Sequence, residues 1–144
     1  MTETIVVGFD GSESSNRALE FAATLAKAQG ARVTVAHVLE WSPYTFLTPE
    51  ELEDRHARRT EELKRADSTI IAPVLEKLSA SGVKADSALK YGHIAETLCA
   101  IAVDAGASQV IIGRTGHSSL ALRLFGSVAG SLAQASPVPV TIVP

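Results

Sequence analysis

Residues 110–128 read VIIGRTGHSSLALRLFGSV. Val110, Ile111 and Ile112 are apolar and β-branched, the composition of a buried strand. Gly113 ends that run, Gly116 follows after two residues, and nine more separate it from Gly126-Ser127. Downstream, 127–136 (SVAGSLAQAS) has the small residues of a closely packed helix. The last segment, 138–144 (VPVTIVP), reads as a strand whose prolines suit a sheet edge or a chain end. A strand, a polar loop bracketed by glycines, a helix and a further strand form one β-loop-α-β unit.

Working back along the chain, the same alternation repeats. TIVVGF (4–9) is a short buried strand bounded by DGS, and 12–30 follows as an amphipathic helix with N-cap candidates Ser12, Ser14 and Ser15 and a stop at Gly30. ARVTVAHV (31–38) is a second strand, and 39–49 is a loop with two prolines and three aromatic residues. Residues 50–82 form a long charged helix whose i,i+4 pairs mark a solvated face, with Pro73 expected to kink or divide it. VKADSALKYG (83–92) alternates polar residues as an edge strand does, 93–106 is a helix ending at Gly106, and 107–113 is the fourth strand. Strict β/α alternation with apolar strands predicts an α/β fold. The expectation is one domain over 1–144, a Rossmann-like five-stranded parallel sheet in order 3-2-1-4-5 with helices on both faces.

Composition narrows the function. With 46% hydrophobic residues in 144, the chain can build one core, and its net charge of -3 argues against a general nucleic-acid binder. The single cysteine, Cys99, allows no disulfide within the chain and reads as a small buried residue. No apolar run is long enough to span a bilayer, and the start MTETIVVGFD is strand-like, so a cytoplasmic protein without membrane insertion is expected.

In an open parallel sheet, ligands bind at the carboxyl ends of strands where the strand order reverses. Two loops sit there: FDGS after strand one and 113–127 after strand four. Gly113 is expected to turn sharply with φ > 0, and Gly116 to let the backbone approach a ligand. Gly126-Ser127 opens a helix whose unpaired N–H groups favour an anion. Arg114, Arg123, His117, Ser118 and Ser119 add donors, and the sum is a phosphate cradle. Ordinary turn chemistry accounts for each glycine taken singly. Asp10 is open between a ligand role and a cap or turn role before Ser12, and Val38 between a pocket wall and plain core.

The whole string resembles the ATP-binding branch of the universal stress protein family, whose signature Gly-x2-Gly-x9-Gly-(Ser/Thr) is met by Gly113, Gly116, Gly126 and Ser127. VVGFDGSESSNRALEFA at the start and VTVAHV at strand two extend the resemblance over essentially the whole chain. The resemblance implies an ATP site, with ADP or AMP as alternatives. Asp10 would lie near ribose and base, and Phe9 and Val38 would wall the adenine, with Ile112 beside them. Gly113, Arg114, Thr115, Gly116, His117 and Ser118 would wrap ribose and phosphates, and Gly126, Ser127 and Val128 would hold the outer phosphates. Mg²⁺ or Mn²⁺ would ride on the phosphates rather than on a protein metal site. The resemblance also implies a homodimer through the terminal strand 138–144.

The familiar nucleotide-hydrolysing loop Gly-x4-Gly-Lys-(Ser/Thr) is absent, as are Gly-x-Gly-x-x-Gly and Gly-x-Ser-x-Gly. The four histidines, 37, 56, 93 and 117, lack metal-ligand spacing, and no carboxylate in the phosphate loop stands ready as a general base. The expectation is therefore a nucleotide-dependent sensor or interaction module acting on an unknown client protein. Slow ATP hydrolysis, or self-phosphorylation at Ser118, Ser119 or Ser127, is the alternative.

Overall fold

A computed structural model of the chain describes residues 2–40, 48–115 and 127–144. Five strands form one parallel sheet in the order β3-β2-β1-β4-β5: β1 (Thr4–Gly8), β2 (Arg32–Glu40), β3 (Ala85–Gly92), β4 (Gln109–Gly113) and β5 (Val140–Val143). Fold class and strand order are as the alternation predicts. β1 is central, with Val7 opposite Val35 of β2 on one side and Ile111 of β4 on the other. Chain direction across the sheet reverses at β1, because β2 and β3 extend one way and β4 and β5 the other. The carboxyl ends of β1 and β4 therefore flank the switch point.

Both faces of the sheet are covered, which is why the central strands read as unbroken apolar runs. Ile5, Val7, Phe9, Val33, Val35 and Ile111 meet α1 (Glu13–Gln29) and α3 (Ala72–Ala80) through Leu19, Ala22, Val74 and Leu78. On the opposite face, Val6, Ala36, Val110 and Ile112 meet α4 (Ile94–Asp104) and α5 (Ser127–Ala135) through Leu98, Ile101, Ala129 and Leu132. Period-two alternation of β1 sends odd residues to one layer and even residues to the other. Each fully buried aliphatic side chain contributes about 1.5–3 kcal/mol relative to exposure.

Helix ends follow capping chemistry. Ser12 caps α1, its Oγ accepting from Ser15 N at 3.1 Å, and Gly30 closes the helix in the left-handed region at φ 66°. Thr48 and Glu51 form a reciprocal capping box around Pro49 at the start of α2 (Pro49–Ala66), a signal the sequence carries as Thr-Pro-Glu-Glu. Pro73 divides the charged helix in an unexpected way. The chain continues from α2 into α3 through a π turn over Asp67–Ile71, where Ala72 N–H donates to Asp67 O. The wider turn re-routes bonds just ahead of a residue that has no N–H and crowds the carbonyl four residues back. Within α2 only Ala66 is buried, in line with the solvated charge run.

Strand boundaries differ from the sequence expectations by one or two residues, the ordinary uncertainty of element ends. The shift at the end of β2 has a tertiary cause. The strand runs to Glu40, two residues past the expected end, because Leu39 and Glu40 pair with Tyr91 and Gly92 of β3. β3 and β5 are the two sheet edges, as their polar alternation and prolines predict.

Candidate functional site

The β1–α1 turn is built by Asp10 and Gly11. Gly11 takes φ 83°, a conformation that side chains disfavour. Asp10 Oδ1 accepts from Ser12 N at 3.0 Å and from Ser12 Oγ at 2.5 Å. Its carboxylate thus lies at the positive end of α1, holding the turn. Ser15 Oγ donates to Ser12 O at 2.9 Å, completing a buried serine cluster in which Ser12, Ser14 and Ser15 are all less than a tenth exposed. Of the two roles open for Asp10, the turn role is built into this geometry.

The β4 end presses directly on this turn. A Cβ at Gly113 would collide with Ser14 Oγ and come within 2.7 Å of the Ser14 carbonyl carbon. Thr115 N–H donates to Ser14 Oγ at 3.3 Å, and Arg114 N–H donates to Val143 O at 2.8 Å. Gly113 itself is a strand residue paired with Val143, and its φ lies outside the left-handed region. The expected sharp turn is therefore corrected: Gly113 is glycine because the N-terminus of α1 approaches it too closely for a side chain.

The apolar candidates divide between the two layers. Ile112 is buried, and Val38 and Val128 are partly buried against the same α4–α5 layer. Gly8 lies among them, since a Cβ there would be 3.1 Å from Ile112 Cγ2 and 3.5 Å from Leu98 Cδ1. Phe9 belongs to the opposite layer, 6% exposed among Ile5, Val7 and Ile71. Its backbone, not its ring, stands at the strand end, against Ala36 and His37 of β2. Phe9 N–H donates to Ala36 O at 2.8 Å, and His37 Nδ1 donates to Phe9 O at 2.7 Å.

Asp10 and Gly113–Thr115 thus lie at the carboxyl ends of the adjacent strands β1 and β4, with Ile112 on β4 and Val38 on the neighbouring strand β2. Ser127 and Val128 lie in α5, which spans Ser127–Ala135. Gly116, His117, Ser118, Ser119, Arg123 and Gly126 lie outside the described residues, as do the aromatic residues of the 39–49 loop. Sequence reasoning did not single out Gly8, Ser14 and His37 as parts of this crevice. A small residue early in α1, facing a motif glycine, was the available signal for Ser14, but it depends on knowing that β1 and β4 are neighbours.

Among the described residues, no three His, Cys, Asp or Glu side chains are grouped as metal ligands. Burial, and secondarily the nearby charge of Glu96, pushes the Cys99 thiol up, so Cys99 stays a protonated packing residue on α4. The bonds of Ser12 and Ser15 run to Asp10 and to backbone, and His37 is engaged by the Phe9 carbonyl. Among the described residues, this part of the crevice offers backbone N–H groups, hydroxyls and the Asp10 carboxylate. No helix among the described residues is long and apolar enough to cross a membrane.

The chain is thus a Rossmann-like α/β protein whose β4 end and Asp-Gly turn flank the crevice at the switch point. The family model for the universal stress protein family matches residues 1–144, and the chain belongs to that family. It is 31% identical over 150 residues to Universal stress protein YxiE of Bacillus subtilis, covering 99% of both chains. A universal stress protein of Thermus aquaticus is 28% identical, again covering 99% of both. Among solved structures, hypothetical protein MJ0577 superposes with a TM-score of 0.82 at 23% identity, covering 99% of this chain and 96% of that one, a likeness of fold. A universal stress protein solved in complex with cAMP has a TM-score of 0.68 at 27% identity, covering 99% of this chain and 96% of that one.

Proposed function

We propose that this chain is an adenine-nucleotide-binding regulatory protein of the stress response, with ATP as its ligand and Mg²⁺ or Mn²⁺ carried on the phosphates. The observation that carries this reading is the contact of Gly113 and Thr115 with Ser14, which brings the glycine-flanked β4 end against the Asp10 turn at the switch point. The relative solved with cAMP supports an adenine ligand for the fold.

In this reading Val38, Ile112 and the Phe9 backbone face the base, and Asp10 faces the ribose. The backbone from Gly113 through Gly116, His117 and Ser118 follows the ribose and inner phosphates. Gly126, Ser127 and Val128, at the start of α5, receive the outer phosphates through helix N–H groups. Occupancy stabilises the loop 114–125 and alters a surface that a client protein reads. The outer edge of β5, within 138–144, pairs two copies of the chain, covering a strand edge that would otherwise stay open.

The test is to denature freshly purified protein, identify released nucleotides by HPLC with mass detection, and titrate nucleotide-free protein with Mg-ATP, AMP and cAMP by calorimetry. ATP released intact, with binding lost in Gly126→Ala, supports a sensor. ADP or AMP alone, together with turnover well above background, moves the function to slow hydrolysis or self-phosphorylation. No bound nucleotide and no heat on titration overturns the reading. Gly113→Ala is a poor probe here, since its collision with Ser14 perturbs the protein whether or not nucleotide is present.

A further inference from the structure

Ser14 is 3% exposed at the second position of α1, and its hydroxyl faces β4 rather than solvent. Two contacts define its place. Its Oγ accepts the Thr115 N–H at 3.3 Å, and its atoms occupy the space that a side chain on Gly113 would need. On the other side of the same residues, Arg114 N–H is held by Val143 O at 2.8 Å. The backbone leaving β4 is therefore clamped between α1 and β5 over Gly113–Thr115, before it reaches the rest of the motif. Ser14 belongs to neither the glycine motif nor the Asp10 turn.

We infer that Ser14 is a positioning residue: by accepting the Thr115 N–H it sets the height and direction at which the backbone leaves β4, and so tunes affinity for the phosphate-bearing part of the nucleotide. The inference rests on the nucleotide-binding reading above. A hydroxyl is suited to this post. It is small enough to sit over Gly113, and it accepts a hydrogen bond that alanine lacks. An amide left without its acceptor is free to swing, and groups further along the chain lose their alignment with the phosphates.

Ser14→Ala keeps the space and removes the acceptor. Calorimetry with Mg-ATP and with adenosine, on wild type and variant, reads the effect. ATP affinity is expected to fall about five- to tenfold, the size of one lost hydrogen bond, with adenosine affinity changed by less than about twofold. Amide hydrogen exchange at Thr115 in nucleotide-free protein is expected to accelerate in the variant. Equal losses for ATP and adenosine, or unchanged ATP affinity with wild-type exchange at Thr115, overturn the positioning role. Wild-type protein that binds neither ligand overturns the nucleotide reading itself, and the role of Ser14 falls with it. Wild-type binding with an unaffected variant overturns the Ser14 role alone.

Discussion

The imidazole of His37 and the carbonyl of Phe9 lie 2.7 Å apart, joining β2 to the residue that leaves β1. A carbonyl only accepts, so the bond places a proton on Nδ1. His37 is 6% exposed, and this bond holds the strand end next to Asp10 at the switch point.

Replacing His37 by alanine leaves the Phe9 carbonyl without this donor and opens space in a buried layer. A loss of about 1–3 kcal/mol is expected from the unsatisfied buried acceptor. Urea denaturation checks it, and an unchanged midpoint would show that the bond contributes nothing.

Gly113→Ala is expected to destabilise nucleotide-free protein by about 1–3 kcal/mol, the range for overpacking a tight contact. The collision partners include the Ser14 backbone as well as its hydroxyl, so Ser14→Gly in the same chain should restore only part of the loss. Thermal melts of the two variants and wild type, each stripped of nucleotide, decide the matter. Wild-type stability in Gly113→Ala would mean that α1 yields easily.

The short helix α5 is anchored by Leu132, which is fully buried against the α4 layer. Leu132→Ala is expected to cost about 2–5 kcal/mol. Gln134→Ala, on the exposed side of the same helix, should change stability by no more than about 0.5 kcal/mol. Equal effects in denaturant titrations would contradict the placement of α5.

Tyr91 ties α2 to the end of β3: its hydroxyl donates to the Glu62 carboxylate, and the Arg59 guanidinium carbon lies 5.4 Å from its ring centre. Burial first, then the hydrogen bond to Glu62 and the charge of Glu62, push the Tyr91 phenol up to about 12, with Arg59 opposing. The folded value lies above the ordinary tyrosine value of 10.0, so the fold favours the neutral phenol. Its stabilisation is complete below pH 10 and lost as pH rises towards 12. In a Tyr44→Phe background, phenolate absorbance should titrate near 12 in folded protein, and Glu62→Gln should lower that value while leaving the share due to burial. A titration at the ordinary tyrosine value would rule out the contact.

Much of the fold is legible in the chain. The apolar runs 4–9, 31–38 and 107–113, set between helical periods, are local patterns, and parallel order with both faces covered follows from them. The DGS turn is likewise local chemistry, and it stands where the pattern puts it. The motif glycines were legible as a set, but their individual reasons were not. Gly113 reads as a turn residue until α1 is placed against β4. Phe9 reads as a partner of Val38 until the pleat sends the two side chains to opposite layers.

By itself the sequence determined the elements, the class of sheet and the resemblance to a family, because these depend on periodicity, capping and spacing within a few residues. Only the tertiary structure decided that Ser14 meets Gly113 and Thr115, that His37 holds Phe9, and that Tyr91 holds Glu62. Those pairs lie up to 101 residues apart, and such contacts arise from which strands neighbour one another and how closely a helix approaches them.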